Sequence, residues 1–270
     1  MMFFIIIKIF CKGNDENESF VYVLNENEFQ LLFFFMKRTF KRLNFLLLLG
    51  VYKGKFMHLN KTEIASLKKV PRLNIINSIT GIKPGNVVGT KSKNGISNLA
   101  IISSVVHLSS NPALIGFIMR PSREYRRDTY NNILESACYT INHVHASFIE
   151  RAHYTSAKFD KDISEFDACG LTEEYIEDFF APFVRESTIK MALTLREQIP
   201  IQSSNTTLIV GEIEHIFIPD EIIDSNGYLD LGKGNSVGIS GLNSYYELSY
   251  KASFPYARVH QLPKDFNKNE

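Results

Sequence analysis

The fold of this chain is decided by residues 89–133, which read GTKSKNGISNLAIISSVVHLSSNPALIGFIMRPSREYRRDTYNNI. The dipeptide Asn94-Gly95 predicts a hairpin, because these residues tolerate positive φ at both centres of a two-residue turn. Pro112 suits the start of a strand and predicts a second turn just before it. The β-rich runs on either side of it are residues 100–108 and 113–119. The pattern therefore indicates strand, turn, strand, turn and strand, followed by a polar loop.

This polar loop is dense in side chains that donate hydrogen bonds. They are Arg120, Ser122, Arg123, Arg126, Arg127 and Thr129. Guanidinium and hydroxyl groups match the oxygens of a phosphate, so the loop is suited to holding an anion. Charge alone favours a solvated loop that carries surface arginines, and the order of the surrounding elements is what favours an anion site.

The order of these parts resembles the flavin reductase-like family, the FMN-binding split barrels. Members read as a hairpin ending in G-x-x-N-x-A-x-x-S, a strand starting with D/N-P, and a helix starting with K/R-D-T-x-x-N-I. The matching residues here are Gly95, Asn98, Ala100, Ser103, Asn111, Pro112, Arg127, Asp128, Thr129, Asn132 and Ile133. The resemblance covers most of residues 73–259 and is weakest after residue 159.

The resemblance implies FMN as the cofactor, with its phosphate on the Arg/Ser/Thr loop and its ring along residues 98–104. The cofactor-binding residues expected from it are Asn98, Leu99, Ala100, Ser103, Ser104, Arg120, Ser122, Arg127, Asp128, Thr129, Asn132 and Ser156. Taken singly, Asn98, Ser103 and Ser104 are also compatible with a purely structural hydrogen bond. No catalytic side chain is assigned, because a flavin carries the hydride chemistry itself.

The implied function is a flavin oxidoreductase that takes a hydride from NAD(P)H, a transient co-substrate, and passes it to flavin or a flavin-linked acceptor. The alternative is an FMN-binding carrier or electron-transfer protein without turnover, which would seat the flavin with the same residues. No G-x-G-x-x-G occurs, so a Rossmann site is not indicated. The family also implies a homodimer, with apolar contact surface expected from Tyr175, Phe179, Phe180 and Phe183.

Composition excludes several other classes of protein. The 30 basic and 29 acidic residues leave no charge excess for nucleic acid as the main partner. Cys11, Cys138 and Cys169 are odd in number and widely spaced, so no disulfide framework is indicated and a reducing cytoplasm is expected.

A metal site is not expected from the histidines. His143 and His145 are two residues apart, and His153 follows in the next predicted element. Zinc requires a third or fourth ligand, and no carboxylate or thiol is suitably spaced. These residues are therefore expected to line a cavity or pack against the barrel.

Residues 1–56 differ from the rest of the chain, because they contain eleven of the 21 phenylalanines and no Ala, Pro or His. Their apolar runs are shorter than the roughly 20 residues of a membrane span, and no signal-peptide cleavage site follows them. We expect a non-native or disordered extension at 1–56, a native start at Met57, a single split-barrel domain at 57–270, and no membrane partner. Mass measurement of the protein from its own host tests this expectation.

The remaining pattern predicts a mainly β protein of the α+β class. Strands with alternating apolar residues are expected at 189–198 and 206–218, and a helix at 145–159. A helix from Thr62 is expected to end at Pro71. Many strands joined by hairpins favour a closed antiparallel barrel over a doubly wound sheet. Combined with the family resemblance, the expected fold is an antiparallel split β-barrel of Greek-key type with a few peripheral helices.

Overall fold

The computed structural model describes residues 5–10, 19–24, 57–121 and 127–263, which belong to two compact units, 1–62 and 63–270. The described strands, in chain order, are β1 (Ile5–Phe10), β2 (Ser19–Leu24), β3 (Lys83–Pro84), β4 (Asn86–Lys91), β5 (Ser97–Ile102), β6 (Val106–Ser110), β7 (Ala113–Met119), β8 (Cys138–His143), β9 (Glu173–Glu174), β10 (Phe183–Val184), β11 (Lys190–Ile201), β12 (Thr206–Phe217), β13 (Val237–Ser240) and β14 (Ser244–Glu247). The described helices are α1 (Lys61–Ser66), α2 (Lys69–Ser78), α3 (Asp128–Ser136), α4 (Ile149–Tyr154) and α5 (Glu165–Cys169), with 3₁₀ turns at Ala146–Phe148, Asp220–Ile222 and Val259–Gln261. In this part of the chain, no helix combines the length and the hydropathy that crossing a membrane requires.

In the first unit, β1 and β2 form an antiparallel hairpin. The second unit is built on a seven-stranded sheet in the order β5-β4-β8-β11-β12-β7-β6, in which every pair is antiparallel. A smaller antiparallel sheet contains β14, β13 and β3.

The seven-stranded sheet forms a split barrel. Its two edge strands, β5 and β6, follow each other in the chain and are joined by residues 103–105. The chain then leaves β7 and returns in β8, beyond β11 and β12, by a long connection that contains α3. Such a long return past neighbouring strands is characteristic of a Greek key. The predicted mainly β, antiparallel split barrel is confirmed.

Successive residues of β4 and β5 point to opposite faces of the sheet, and a separate apolar core packs on each face. On one face, Val88 and Ile141 pack with Phe117, Tyr139 and Leu193. On the other face the core residues are Val87, Leu99, Val144, Phe148, Ala152, Phe166, Leu171, Val184 and Val237. The segment from α4 to β10 therefore packs on the second of these faces. It lies beside the edge of β5 that does not face β4.

The hairpin between β4 and β5 forms as predicted, but its turn differs. Gly95 alone of the predicted pair has positive φ, +86°. The Gly95 N–H donates to the Ser92 carbonyl at 3.0 Å, and the Ser92 N–H donates to the Ile96 carbonyl at 2.9 Å. The prediction of a two-residue turn with both residues at positive φ was therefore wrong, because the turn includes Ser92 and needs only one glycine.

Helix α2 contradicts the prediction that Pro71 ends a helix. Pro71 is the third residue of α2, which begins at Lys69 and continues to Ser78. The first-turn N–H groups of a helix have no acceptor within it, so a proline there loses no helical hydrogen bond. The segment after Pro71 is consequently helical and not extended.

Two other predicted elements have different bounds. The run 100–108 is not one strand, because its first part pairs with β4 and its last part with β7, on opposite edges of the sheet. The predicted helix at 145–159 is a 3₁₀ turn followed by the six-residue helix α4.

Candidate functional site

A cavity of about 1080 Å³ lies against β5, where the barrel is split. Its wall combines β5, the end of β7, the start of α3, the segment after α4, and residues beside β3 and β13. Nine predicted cofactor-binding residues line it: Asn98, Ala100, Ser103, Ser104, Arg120, Arg127, Asp128, Thr129 and Ser156. Leu99 and Asn132 do not line it, and Ser122 lies outside the described residues.

Helix α3 is fixed to the sheet by two side-chain hydrogen bonds. The Asn98 Nδ2 donates to Thr129 Oγ1 at 2.9 Å, and the Asn132 Nδ2 donates to Thr90 Oγ1 at 3.1 Å. Thr129, Asn132 and Ile133 form the buried face of the helix, which is the i, i+3, i+4 spacing of an amphipathic helix. The helix start is thereby held at the cavity wall. Asn132 has a structural partner, and its predicted cofactor contact stays a prediction.

Arg127 immediately precedes α3 and lines the cavity. Its Nε is buried, and this atom has no hydrogen-bond partner within the described protein. A buried donor without a partner is costly, so the arrangement suits an external acceptor. The start of a helix also favours negative charge through its free N–H groups and dipole.

The charge of the cavity differs from that of the whole chain. Its wall carries five basic residues, Lys83, Arg120, Arg127, Lys158 and Lys161, against three acidic residues, Asp128, Asp160 and Glu165. Apolar cover comes from Ile101, Ile102, Ile118, Met119, Phe159, Ile239 and Leu242. The cavity wall thus combines an excess of basic residues with apolar surface, two of the features that a flavin nucleotide requires.

Ser103 and Ser104 lie where β5 ends. The Ser104 Oγ accepts the Ile118 N–H at 3.0 Å, so it connects the end of β5 to β7. This hydrogen bond joins the two sides of the split between β5 and β6. Ser104 therefore has a structural role as well as a place in the cavity wall.

The Leu99 side chain points into the apolar core, where it is fully buried. Its backbone N–H also has a partner within the protein. The Leu99 N–H donates to Glu165 Oε2 at 3.0 Å, and the Ile101 N–H donates to Thr155 Oγ1 at 2.9 Å. Both acceptors line the cavity, and neither was predicted. The sequence pattern contains no signal for them, because they approach β5 from more than 50 residues away.

The three histidines have three different environments. His143 Nδ1 lies 3.0 Å from Ser236 Oγ, and burial lowers the pKa of His143 to about 4. His145 Nδ1 accepts the Ser147 N–H at 3.1 Å and caps a 3₁₀ turn. Only His153 of the three lines the cavity. Its Nδ1 lies 2.9 Å from the hydroxyl of Tyr245.

These features define a class of protein. An antiparallel split barrel with a basic cavity at its open edge is the fold of flavin-related oxidoreductases. The model of the flavin reductase like domain family matches residues 82–234, and the chain belongs to this family. The resemblance found in the sequence is thereby confirmed.

Known proteins share the fold to different degrees. A candidate flavin reductase with a split barrel domain from Shewanella frigidimarina is 44% identical, with a TM-score of 0.71, over 75% of this chain and 100% of that chain. An uncharacterised protein of Aquifex aeolicus is 28% identical over 61% of this chain and 83% of its own. The flavoredoxin of Desulfovibrio vulgaris is 22% identical, with a TM-score of 0.57, over 66% of this chain and 92% of that chain, a likeness of fold alone.

Proposed function

We propose that this protein binds FMN in the cavity beside β5 and transfers a hydride from NAD(P)H to flavin or a flavin-linked acceptor. The observation that carries the proposal is Arg127, whose buried Nε has no partner within the described protein and lies at the start of a helix. Together with Arg120 and Thr129 in the same wall, it would hold the FMN phosphate. Charge-assisted hydrogen bonds of this kind are the strong ones in phosphate recognition.

Other residues of the wall would hold the ring. Ile101, Ile102 and Met119 offer apolar surface, and the Ser103 hydroxyl offers a hydrogen bond at the end of β5. The volume of about 1080 Å³ is slightly above the roughly 300–1000 Å³ typical of small-molecule sites, which leaves space for a second ligand. When bound, FMN supplies the hydride chemistry.

The nicotinamide nucleotide would enter on the side of His153. The Tyr245 hydroxyl, 2.9 Å from His153 Nδ1, orients the imidazole ring at the cavity wall. Asn243 lies in the same wall and offers an amide that can both donate and accept. These groups would orient the co-substrate, and the apolar wall would exclude water from the reacting face.

We further propose that the protein is a cytoplasmic homodimer. Of the aromatic residues expected at the contact, Phe183 is fully buried within the protomer and cannot contribute, whereas Tyr175 and Phe180 are exposed. Phe254 and Tyr256 are 85% and 86% exposed and would add apolar surface to the contact. Light scattering coupled to size-exclusion chromatography should give the mass of two chains, and a monomer at all concentrations would refute the dimer.

Anaerobic stopped-flow mixing of the FMN-loaded protein with NADH or NADPH tests the proposed function. We expect the absorption of oxidised flavin to bleach within seconds, in line with turnover numbers of about 1 s⁻¹ or more. Bleaching by dithionite but by neither nucleotide would refute hydride transfer and favour the electron carrier. A protein that takes up no FMN on titration would refute both.

A further inference from the structure

The free edge of β5 is covered by side chains in place of a neighbouring strand. β5 is the first strand of the seven-stranded sheet, and among the described strands it pairs only with β4. Two of its outward N–H groups, those of Leu99 and Ile101, donate to Glu165 and Thr155. Edge strands need such cover, because their unpaired N–H groups otherwise remain unsatisfied or pair with another chain.

The two acceptors lie at the two ends of residues 156–164, which we call the strap. Six strap residues line the flavin cavity: Ser156, Ala157, Lys158, Phe159, Asp160 and Lys161. The backbone hydrogen bonds of Ser156, Ala157 and Ile163 go to residues three positions earlier, so they form turns within this region. Thr155 and Glu165 are thus two of the points at which hydrogen bonds join the ends of the strap to β5, and a third is Ser164, whose Oγ lies 2.8 Å from Ser97 Oγ.

Thr155 is well suited to this role. It is 3% exposed, and its hydroxyl donates to the Ala152 carbonyl at 2.7 Å. Since the hydrogen is committed to that carbonyl, an oxygen lone pair is free to accept the Ile101 N–H. Burial protects this hydrogen bond from competition by water.

Glu165 holds the other end. Glu165 is the first residue of α5, and Phe166, the next residue, is 1% exposed in the core. The contact between the Glu165 carboxylate and the Leu99 N–H ties the start of this helix, where the strap ends, to β5.

We propose that Thr155 and Glu165 are positioning residues that attach the strap to the flavin-lining strand and so form one wall of the flavin site. This inference rests on the proposed function for the identity of the ligand. It also has a consequence for recognition. The N–H groups of Leu99 and Ile101 already donate hydrogen bonds to side chains of the protein. Flavin must therefore form its hydrogen bonds along β5 with other groups, such as Asn98 and Ser103.

The test compares Thr155→Val and Glu165→Ala with the conservative variants Thr155→Ser and Glu165→Gln. Limited trypsin digestion of the FMN-free protein reports on the strap, because Lys158 and Lys161 lie within it. We expect cleavage there to accelerate about tenfold in the disruptive variants and less than about twofold in the conservative ones, since tenfold corresponds to about 1.4 kcal/mol, which is within the range for a lost hydrogen bond. Cleavage after the exposed Lys233 should not change and reports any general unfolding.

FMN titration provides the second readout. Thr155→Val and Glu165→Ala should raise the dissociation constant of FMN about tenfold, while the conservative variants should stay close to wild type. Unchanged cleavage in the strap, or equal effects of Thr155→Ser and Thr155→Val, would overturn the proposal. If the wild type binds no FMN, the proposed function fails, and the digestion of the FMN-free protein still decides whether these residues hold the strap.

Discussion

Replacing Arg127 by Met should separate flavin binding from folding. The Arg127 Nε is buried and has no partner among the residues that the structure describes, and Arg127 directly precedes the first residue of α3. Methionine keeps the apolar stem and removes the guanidinium. If the guanidinium serves the FMN phosphate, its removal should weaken FMN binding and should not weaken the protein without FMN.

The expected magnitude follows from the kind of contact. A hydrogen bond to a charged group contributes about 1.5–3 kcal/mol, so the dissociation constant of FMN should rise about 10- to 150-fold. Riboflavin lacks the phosphate, and its dissociation constant should change less than about twofold. An unsatisfied buried donor costs about 1–3 kcal/mol, so the stability of the FMN-free protein should stay equal or increase.

Fluorescence titration with FMN and with riboflavin measures the first two quantities, and urea unfolding of the FMN-free protein measures the third. Arg127→Lys retains the charge but not the planar fork, and its loss of FMN affinity should be intermediate. Arg196→Met is the matched control, because Arg196 pairs with Glu212 at 2.6 Å on β11, away from the cavity. Equal weakening for both flavins, or a stability loss above about 1 kcal/mol with FMN affinity intact, would refute the reasoning.

Three further predictions concern stability. Burial lowers the pKa of His143 in the folded state to about 4. As the pH falls below about 6.5, His143 is therefore protonated in the unfolded state before it is protonated in the folded state, and this favours unfolding. His143→Gln should therefore reduce the stability lost between pH 7.5 and 5.5 in urea unfolding by about 1.3 kcal/mol, and an unchanged loss would contradict the assignment. The Tyr139 hydroxyl is buried without a partner in the described protein, and Tyr139→Phe should raise the unfolding free energy by about 1 kcal/mol; a loss would mean that the hydroxyl has an unseen partner. A Cβ on Gly211 would meet that same hydroxyl, so Gly211→Ala should cost about 1–3 kcal/mol, and Tyr139→Phe in the same chain should recover part of it; strictly additive effects would argue against the contact.

Local sequence was sufficient for the family and for the bounds of β7, but not for those of β5, because the predicted run 100–108 is two strands on opposite edges of the sheet. Asn98, Ala100 and Thr129 were expected in the site, and the structure brings them to one cavity. Turn residues and alternation act over a few neighbours, so they can be read without knowing the fold. Where local rules failed, position within the element was the reason, as for Pro71 in the first turn of α2.

The sequence by itself determined the β-rich character, the order of the hairpins and α3, and hence the family. Only the tertiary structure decided which residues complete the cavity. Thr155 and Glu165 reach β5 across 54 and 66 residues of chain, and Lys83 and Asn243 join the same wall through the small sheet. The unpartnered Nε of Arg127 likewise becomes visible only once the surrounding atoms are placed. The physical reason is that such contacts depend on strand order and register across the whole sheet, whereas propensity and periodicity report only on neighbours along the chain.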